Sequence, residues 1–227
     1  PLAVDGNLID WGDSLKYFNE GTQFSFDIRN NNEFLYVAII SKNKENLNRI
    51  LARGITFSIN TEDKKKDGIT VVFPVIDRLN STNRSANEKA QAAQPDKQFQ
   101  EQIISKITKI NVSGFQDIID GPVSLNNTYG ISAAAKFDGK DNFVIELAIP
   151  FHQLGMAPIQ GKQIACLFQI NGIKQPRTSY DPNRNSRGGM YGYPSRDYGY
   201  DRRPVVNKQN LAAGFWVKSI LATKNNN

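Results

Sequence analysis

The sequence of 227 residues has very few of the side chains that most often bind metals or act as nucleophiles. Cys166 is its only cysteine and His152 its only histidine, which argues against an internal disulfide and against a zinc site. No serine lies in a Gly-x-Ser-x-Gly motif. Among the carboxylates, Glu146 falls on the outward side of a predicted strand, and Asp138 and Asp141 belong to a turn. We therefore expect the chain not to be an enzyme.

Long apolar segments are missing as well. The densest apolar runs, residues 34–40 and 143–149, are far shorter than the roughly 18 residues of a membrane-spanning helix. The sequence begins at Pro1 without a charged and then apolar leader, which fits either a removed signal segment or a trimmed chain. Hydrophobic residues still make up 39% of the chain, enough to cover a β-sheet core. We predict a single domain spanning residues 1–227, with no membrane span.

Alternating apolar and polar residues predict about ten short β-strands. An Asp-Gly turn followed by a short apolar stretch predicts an N-terminal strand within residues 2–15. Residues 55–60 and 143–149 both alternate in this way, which is typical of strands with one face on a core. An Asn-rich turn separates residues 23–29 from residues 34–42, which indicates a hairpin. Because no regular alternation of strands with helices is seen, the pattern predicts an all-β, jelly-roll-like antiparallel sandwich.

One segment interrupts the strand pattern. Residues 77–105 are rich in Ala, Gln, Lys, Asn and Glu, are broken by Pro95, and lack β-branched alternation until Ile103. Strand-like residues resume at position 107. We therefore predict a short helical insertion of one or two helices within the sandwich.

Four stretches share a recognisable arrangement of turns, aromatic residues and strands. They are VDGNLIDWGD at residues 4–13, FDIRNNNEFLYVAIISKN at 26–43, NFVIELAIPFHQLGMAPIQGKQIACLFQING at 142–172 and GFWVKSILA at 214–222. In order and spacing they resemble the family 9 carbohydrate-binding modules and the related DOMON-like jelly-roll superfamily. The resemblance implies a non-catalytic carbohydrate-binding or substrate-docking module of an exported protein, located in the periplasm, at the cell surface or outside the cell.

The resemblance also implies where polar contacts to a sugar would lie. Gln169 and Asn171 end the strand that follows the Ile-Pro corner, at positions where the family carries polar side chains. Gly172 stands where an aspartate is common, and no tryptophan occurs in the following loop. The two tryptophans of the chain, Trp11 and Trp216, lie in segments that we expect to belong to the core.

A loop rich in tyrosine and arginine, at about residues 174–206, is the segment most typical of a binding site. Tyrosine rings stack on the C–H faces of sugars, and polar side chains bind their hydroxyls. The predicted ligand-binding residues are Gln169, Asn171, Arg177, Tyr180, Tyr191, Tyr193, Tyr198 and Tyr200. In the alternative, these tyrosines pack over the sandwich, and the domain has a structural or protein-interaction role and has lost sugar binding.

The net charge of +6 is largely local. Residues 174–203 contain seven basic residues and three aspartates, so they alone contribute +4. Arg-, Gly- and Tyr-rich segments such as residues 186–203 can bind RNA phosphates and stack on bases. No RNP-type strand motif accompanies this segment, and nucleic acid is therefore the less favoured partner.

The sequence offers candidate ligands for two cofactors, calcium and haem. Family 9 modules often contain structural calcium, and oxygen ligands for it could come from Asp5, Asp10 and Asp13, although their spacing is not that of an EF-hand. DOMON-like relatives include haem proteins with Met and His ligands. His152 could reach a haem together with Met190, but Met156 is too close to it in sequence to take the opposite face. We expect no cofactor, with calcium left open.

Overall fold

The computed structural model of the chain describes residues 2–12, 14–66, 68–76, 97–157, 161–172 and 211–222. Within these ranges the chain forms eleven β-strands, two α-helices and two short 3-10 helices. All strand pairings found there are antiparallel, and the strands form two sheets with a common apolar core. The predicted all-β sandwich is therefore confirmed.

The first sheet has five strands and the second has six. The first contains β1 (Tyr17–Asn19), β2 (Phe24–Asn30), β3 (Phe34–Ser41), β8 (Ser132–Phe137) and β9 (Phe143–Pro150), in the order β1-β2-β3-β9-β8. The second contains β4 (Ile55–Asn60), β5 (Ile69–Ile76), β6 (Ile107–Ser113), β7 (Gly121–Ser124), β10 (Gln163–Ile170) and β11 (Ala213–Ile220), in the order β11-β10-β4-β5-β6-β7. The predicted hairpin is confirmed as β2 and β3.

The core lies between the sheets, where alternate side chains of each strand meet. Phe26 of β2 crosses this space, and its ring centroid lies 4.9 Å from that of Phe168 in β10 and 5.1 Å from that of Phe215 in β11. Cys166 is fully buried in the same cluster, and burial raises the pKa of its thiol because the thiolate would lose its hydration. Burial of apolar surface contributes about 25 cal/mol per Å². The packed aromatic rings between the two sheets are therefore a main source of stability.

A helix that the strand pattern did not predict lies between β3 and β4. Helix α1 (Lys44–Arg53) begins at Asn43, whose side chain accepts hydrogen bonds from the backbone N–H groups of Glu45 and Asn46. It ends at Gly54, which has a φ of 73°. Ile50 points into the core and is fully buried, so the helix covers one end of the space between the sheets.

The second helix lies in the predicted helical insertion. Helix α2 (Lys97–Ser105) occupies its last part, and Ile103 packs against the core. Residues 77–96 lie outside the described residues, so the rest of the insertion stays a prediction. Neither α1 nor α2 has the length and the apolar character that crossing a membrane would require of a helix in the described ranges.

The N-terminal segment forms a 3-10 helix, Leu8–Trp11, where a strand was expected. Asn7 caps this helix by accepting a hydrogen bond from the backbone N–H of Ile9. Trp11 is buried against Tyr36 and Ala148, on the side of the first sheet that faces away from the main core. The expectation of an N-terminal strand was wrong because the capped turn shortens the segment and lays it across that sheet.

Candidate functional site

The outer face of the second sheet carries two rows of side chains that cross several strands. Because side chains alternate along a strand, the residues next to the buried ones point away from the core. Strand pairing places Trp216, Leu167, Ser58, Thr70 and Ser113 in one row. Gln169, Thr56, Val72 and Asn111 form the second row. We call these nine residues the outer face.

Trp216 is the aromatic residue of the outer face, and it is half-buried. Its neighbours in β11, Phe215 and Val217, pack against the main core. Neither cluster of buried apolar residues found in the described part of the chain includes Trp216. The expectation that Trp216 belongs to the core was therefore wrong, since strand alternation turns the indole to the other side of the sheet.

Gln169 and Asn171 lie close together, as the sequence predicts. The Asn171 Oδ1 atom accepts hydrogen bonds from the Thr56 hydroxyl at 2.8 Å and from the Gln169 Nε2 atom at 3.3 Å. The Asn171 Nδ2 group donates to the carbonyl oxygen of Arg53 at 3.0 Å. Asn171 thus ties the end of β10 to the junction of α1 and β4, and Gln169 stands beside it on the outer face.

The other predicted ligand-binding residues belong to the connection between β10 and β11. They are Arg177, Tyr180, Tyr191, Tyr193, Tyr198 and Tyr200, and all of them lie outside the described residues. Their role in binding therefore stays a prediction. In the sequence this connection begins directly after Asn171 and Gly172, next to the end of β10 that carries Gln169.

A separate cleft of about 480 Å³ lies where β3 begins and β9 ends. It is lined by Asn32, Glu33, Phe34, Pro150, Phe151, His152, Met156 and Ala157. The walls are joined by a hydrogen bond of 2.8 Å from the Phe151 N–H to the Glu33 carbonyl. His152 and Met156 thus line the same cleft. The sequence favoured Met190 as the second haem ligand beside His152, and Met190 is outside the described residues.

The aspartates near the N-terminus make hydrogen bonds to the backbone. Asp5 Oδ1 accepts from the Asn7 N–H at 2.8 Å, and Asp10 Oδ2 accepts from the Ala3 N–H at 2.8 Å. Asp13 is not among the described residues. The residues that are described contain no group of three or more His, Cys, Asp or Glu side chains arranged to hold a metal ion. Calcium near these aspartates, which the sequence leaves open, stays open.

Glu146 lies on the outward side of β9, as strand alternation predicts, yet it is only 1% exposed. The N-terminal segment covers it and supplies three donors: the indole N–H of Trp11 at 2.7 Å and the backbone N–H groups of Gly6 at 2.6 Å and Asp5 at 3.1 Å. Burial raises the pKa of the Glu146 carboxyl, and these hydrogen bonds partly oppose the rise. Glu146 therefore anchors the N-terminal segment to the sheet.

The guanidinium of Arg29 also contacts the N-terminal segment, at Trp11. It is 4.9 Å from the centroid of the Trp11 ring, and its Nη2 atom donates to the Trp11 carbonyl at 2.8 Å. Its Nε atom forms an ion pair with Asp27 at 3.0 Å. These contacts hold the N-terminal segment in place. Because this segment covers the outward side of the first sheet, the outer face of the second sheet is the better candidate for ligand binding.

Comparison with protein-family models, with curated proteins and with solved structures finds no match to this chain. The resemblance to family 9 carbohydrate-binding modules therefore stays a prediction that rests on the four quoted stretches. What the chain binds has to be argued from its own residues.

Proposed function

We propose that this chain is a non-catalytic carbohydrate-binding module of an exported protein and that it binds sugar on the outer face. The observation that carries the proposal is Trp216, a half-buried indole that is turned away from the core and paired with Leu167 on the neighbouring strand. An indole outside the core gives a flat apolar surface on which the C–H face of a sugar ring stacks.

Polar side chains elsewhere on the outer face match the remaining needs of a sugar. Gln169, Thr56 and Asn111 carry amide or hydroxyl groups that donate and accept hydrogen bonds, as sugar hydroxyls do. The ammonium group of Lys218, the charged residue that follows Trp216 on this side of β11, lies 2.7 Å from the Asp63 carboxylate. The outer face therefore favours a neutral sugar over an anionic one.

The loop at about residues 174–206 forms the second part of the proposed sugar site. Its tyrosines add stacking surfaces, and Arg177 adds hydrogen bonds, next to the end of the outer face at Gln169. Export and the absence of catalysis follow from the resemblance to family 9 modules. Both are part of the same proposal.

A glycan array probed with the purified chain tests the proposal. We expect saturable binding to a neutral oligosaccharide, lost or reduced about fivefold or more in Trp216→Ala, because one stacked aromatic ring contributes on the order of 1 kcal/mol or more. Phe99→Ala is the matched control, since Phe99 is an exposed aromatic residue on helix α2 and should leave binding unchanged. Tyr191→Ala and Tyr193→Ala, made together, should weaken binding.

Two outcomes of the array would contradict this assignment. Binding that survives in Trp216→Ala would move the sugar away from the outer face, to the loop or the cleft. An array without any binding would favour the second candidate function, a structural or protein-interaction domain on the same scaffold. That candidate has its own support in the exposed apolar residues along one edge of the sandwich.

A further inference from the structure

The strands β1 and β11 form the edges of the two sheets on the same side of the sandwich. The ring of Tyr17 in β1 stacks on Phe26 of β2 with centroids 5.5 Å apart, and Phe26 in turn contacts Phe215 of β11. An aromatic seam thus joins the two edge strands. We call this side, formed by β1 and β11 with the residues next to them, the lateral edge.

Four large apolar side chains at or next to the lateral edge are exposed. Tyr17 is 46% exposed, Phe18 55%, Leu211 53% and Ile220 67%. These four are more than half of the seven large hydrophobic residues found exposed in the described ranges. Leu211 lies just before β11 and Ile220 at its end, and Tyr17 and Phe18 belong to β1.

β11 is the longest edge strand in the described ranges. Proteins shield such edges with short strands, lysines and other charged residues, prolines, bulges or covering segments. The edge strand β1 has three residues, and β7 has four residues including Pro122. The N-terminal segment approaches β8 so closely that a Cβ atom on Gly6 would lie 2.7 Å from the Lys136 Cβ. β11, in contrast, has eight residues, no proline and an unbroken register with β10, and Lys218 is its single charged residue.

We propose that the lateral edge is the interface of a homodimer in which β11 pairs antiparallel with β11 of a second copy about a two-fold axis. Pairing of this kind joins two six-stranded sheets into one and satisfies the backbone groups on the free side of both strands. It also brings the exposed apolar residues of the two lateral edges near each other. The proposal does not rest on carbohydrate binding.

The sequence of β11 is compatible with itself in this arrangement. Residues directly opposite each other in an antiparallel pair point to the same side, so the axis passes through a residue position. An axis at Trp216 or at Val217 gives the longest overlap. The single charged residue of the strand, Lys218, then faces Gly214 or Trp216 of the second copy, and like charges do not meet. A second copy therefore supplies an edge strand of the same length, whose lysine does not lie opposite Lys218.

Sedimentation velocity over a wide range of protein concentrations tests the dimer. We expect a species of twice the chain mass of 25.4 kDa, which dissociates on dilution. Trp216→Lys should make the protein monomeric, because the introduced lysine faces its own copy in one register and Lys218 of the second copy in the other. The side chain lies on the outer face, so this change leaves the core intact.

Two control variants separate the dimer from the proposed sugar site. Trp216→Leu keeps an apolar residue at the axis, so the dimer should persist while glycan binding is lost. Ser124→Lys adds the same charge to the exposed edge strand β7 and should leave the dimer unchanged. A protein that is monomeric at every concentration, or a Trp216→Lys variant that dimerises like the unmodified chain, would overturn the proposal, whatever the glycan array shows.

Discussion

Among single residues, Glu146 shows most clearly how a covering segment changes the chemistry of a side chain on a strand. The carboxyl group lies under the N-terminal segment with three N–H donors, and burial raises its pKa above the ordinary value of 4.5. A carboxyl whose pKa is raised by folding binds its proton more tightly in the folded state. It therefore stabilises the fold fully below the unfolded pKa, and that contribution is lost as the pH rises through the folded pKa.

We expect this effect to be visible in the free energy of unfolding measured by urea titration at a series of pH values. In the window just above pH 4.5, part of the decrease of stability with rising pH comes from Glu146. Glu146→Gln, which keeps the shape of the side chain but does not titrate, should show a flatter pH dependence in that window. Identical slopes for the two proteins would show that Glu146 does not carry the effect.

Residue positions within a strand could be predicted, but their surroundings could not. The sequence correctly placed Gln169 and Asn171 together, since Gln169 lies at the end of β10 and Asn171 follows that strand. Alternation also gave the correct side of the strand for Glu146. It could not show that a segment about 140 residues earlier in the sequence covers this carboxyl, or that Trp216 points away from the core. Both facts depend on contacts between distant parts of the chain.

At the level of elements, helix α1 is the feature that the strand-based prediction missed. Its signals are present in the sequence: Asn43 at the start, Leu47, Ile50 and Leu51 at helical spacing, and Gly54 at the end. These signals are weak because the segment is short and lies between two strong strand patterns. The apolar spacing places one side of the helix on the core, and Asn43 fixes where the helix begins.

The cap of α1 leads to a prediction about stability. Asn43→Ala removes the acceptor for the backbone N–H groups of Glu45 and Asn46, and we expect it to lower the free energy of unfolding by about 1 kcal/mol. Asn43→Asp retains an acceptor oxygen and should cost much less. Chemical denaturation of both variants measures the difference, and an equal loss in the two would show that the cap is not the cause.

For the whole molecule, the sequence predicted the class of fold but not the order of strands. Alternation and turn residues define the strands and hairpins locally, and their number without intervening helices indicates a sandwich. The placement of β9 between β3 and β8, and of β10 between β11 and β4, brings together residues far apart in sequence. That arrangement is decided by which apolar faces fit together, which a single sequence does not reveal. The lateral edge could therefore not be foreseen.

The same whole-molecule view predicts that the Tyr- and Arg-rich loop can be removed without loss of the fold. Ile170 and Ala213 are paired at the adjoining ends of β10 and β11, so their Cα atoms lie about 5 Å apart and a short turn can join the strands. We expect a chain with residues 174–206 replaced by a Gly- and Asn-containing turn to keep its circular dichroism spectrum and its thermal unfolding temperature.

Glycan binding by the shortened chain then separates the loop from the outer face. We expect weaker binding to the sugar found on the array, because the loop tyrosines are gone, and we expect the remaining binding to be lost in Trp216→Ala. Isothermal titration of the shortened chain with and without Trp216→Ala measures both effects. Undiminished affinity would remove the loop from the site, whereas complete loss in a folded chain would place the sugar on the loop and leave Trp216 with a role in pairing alone.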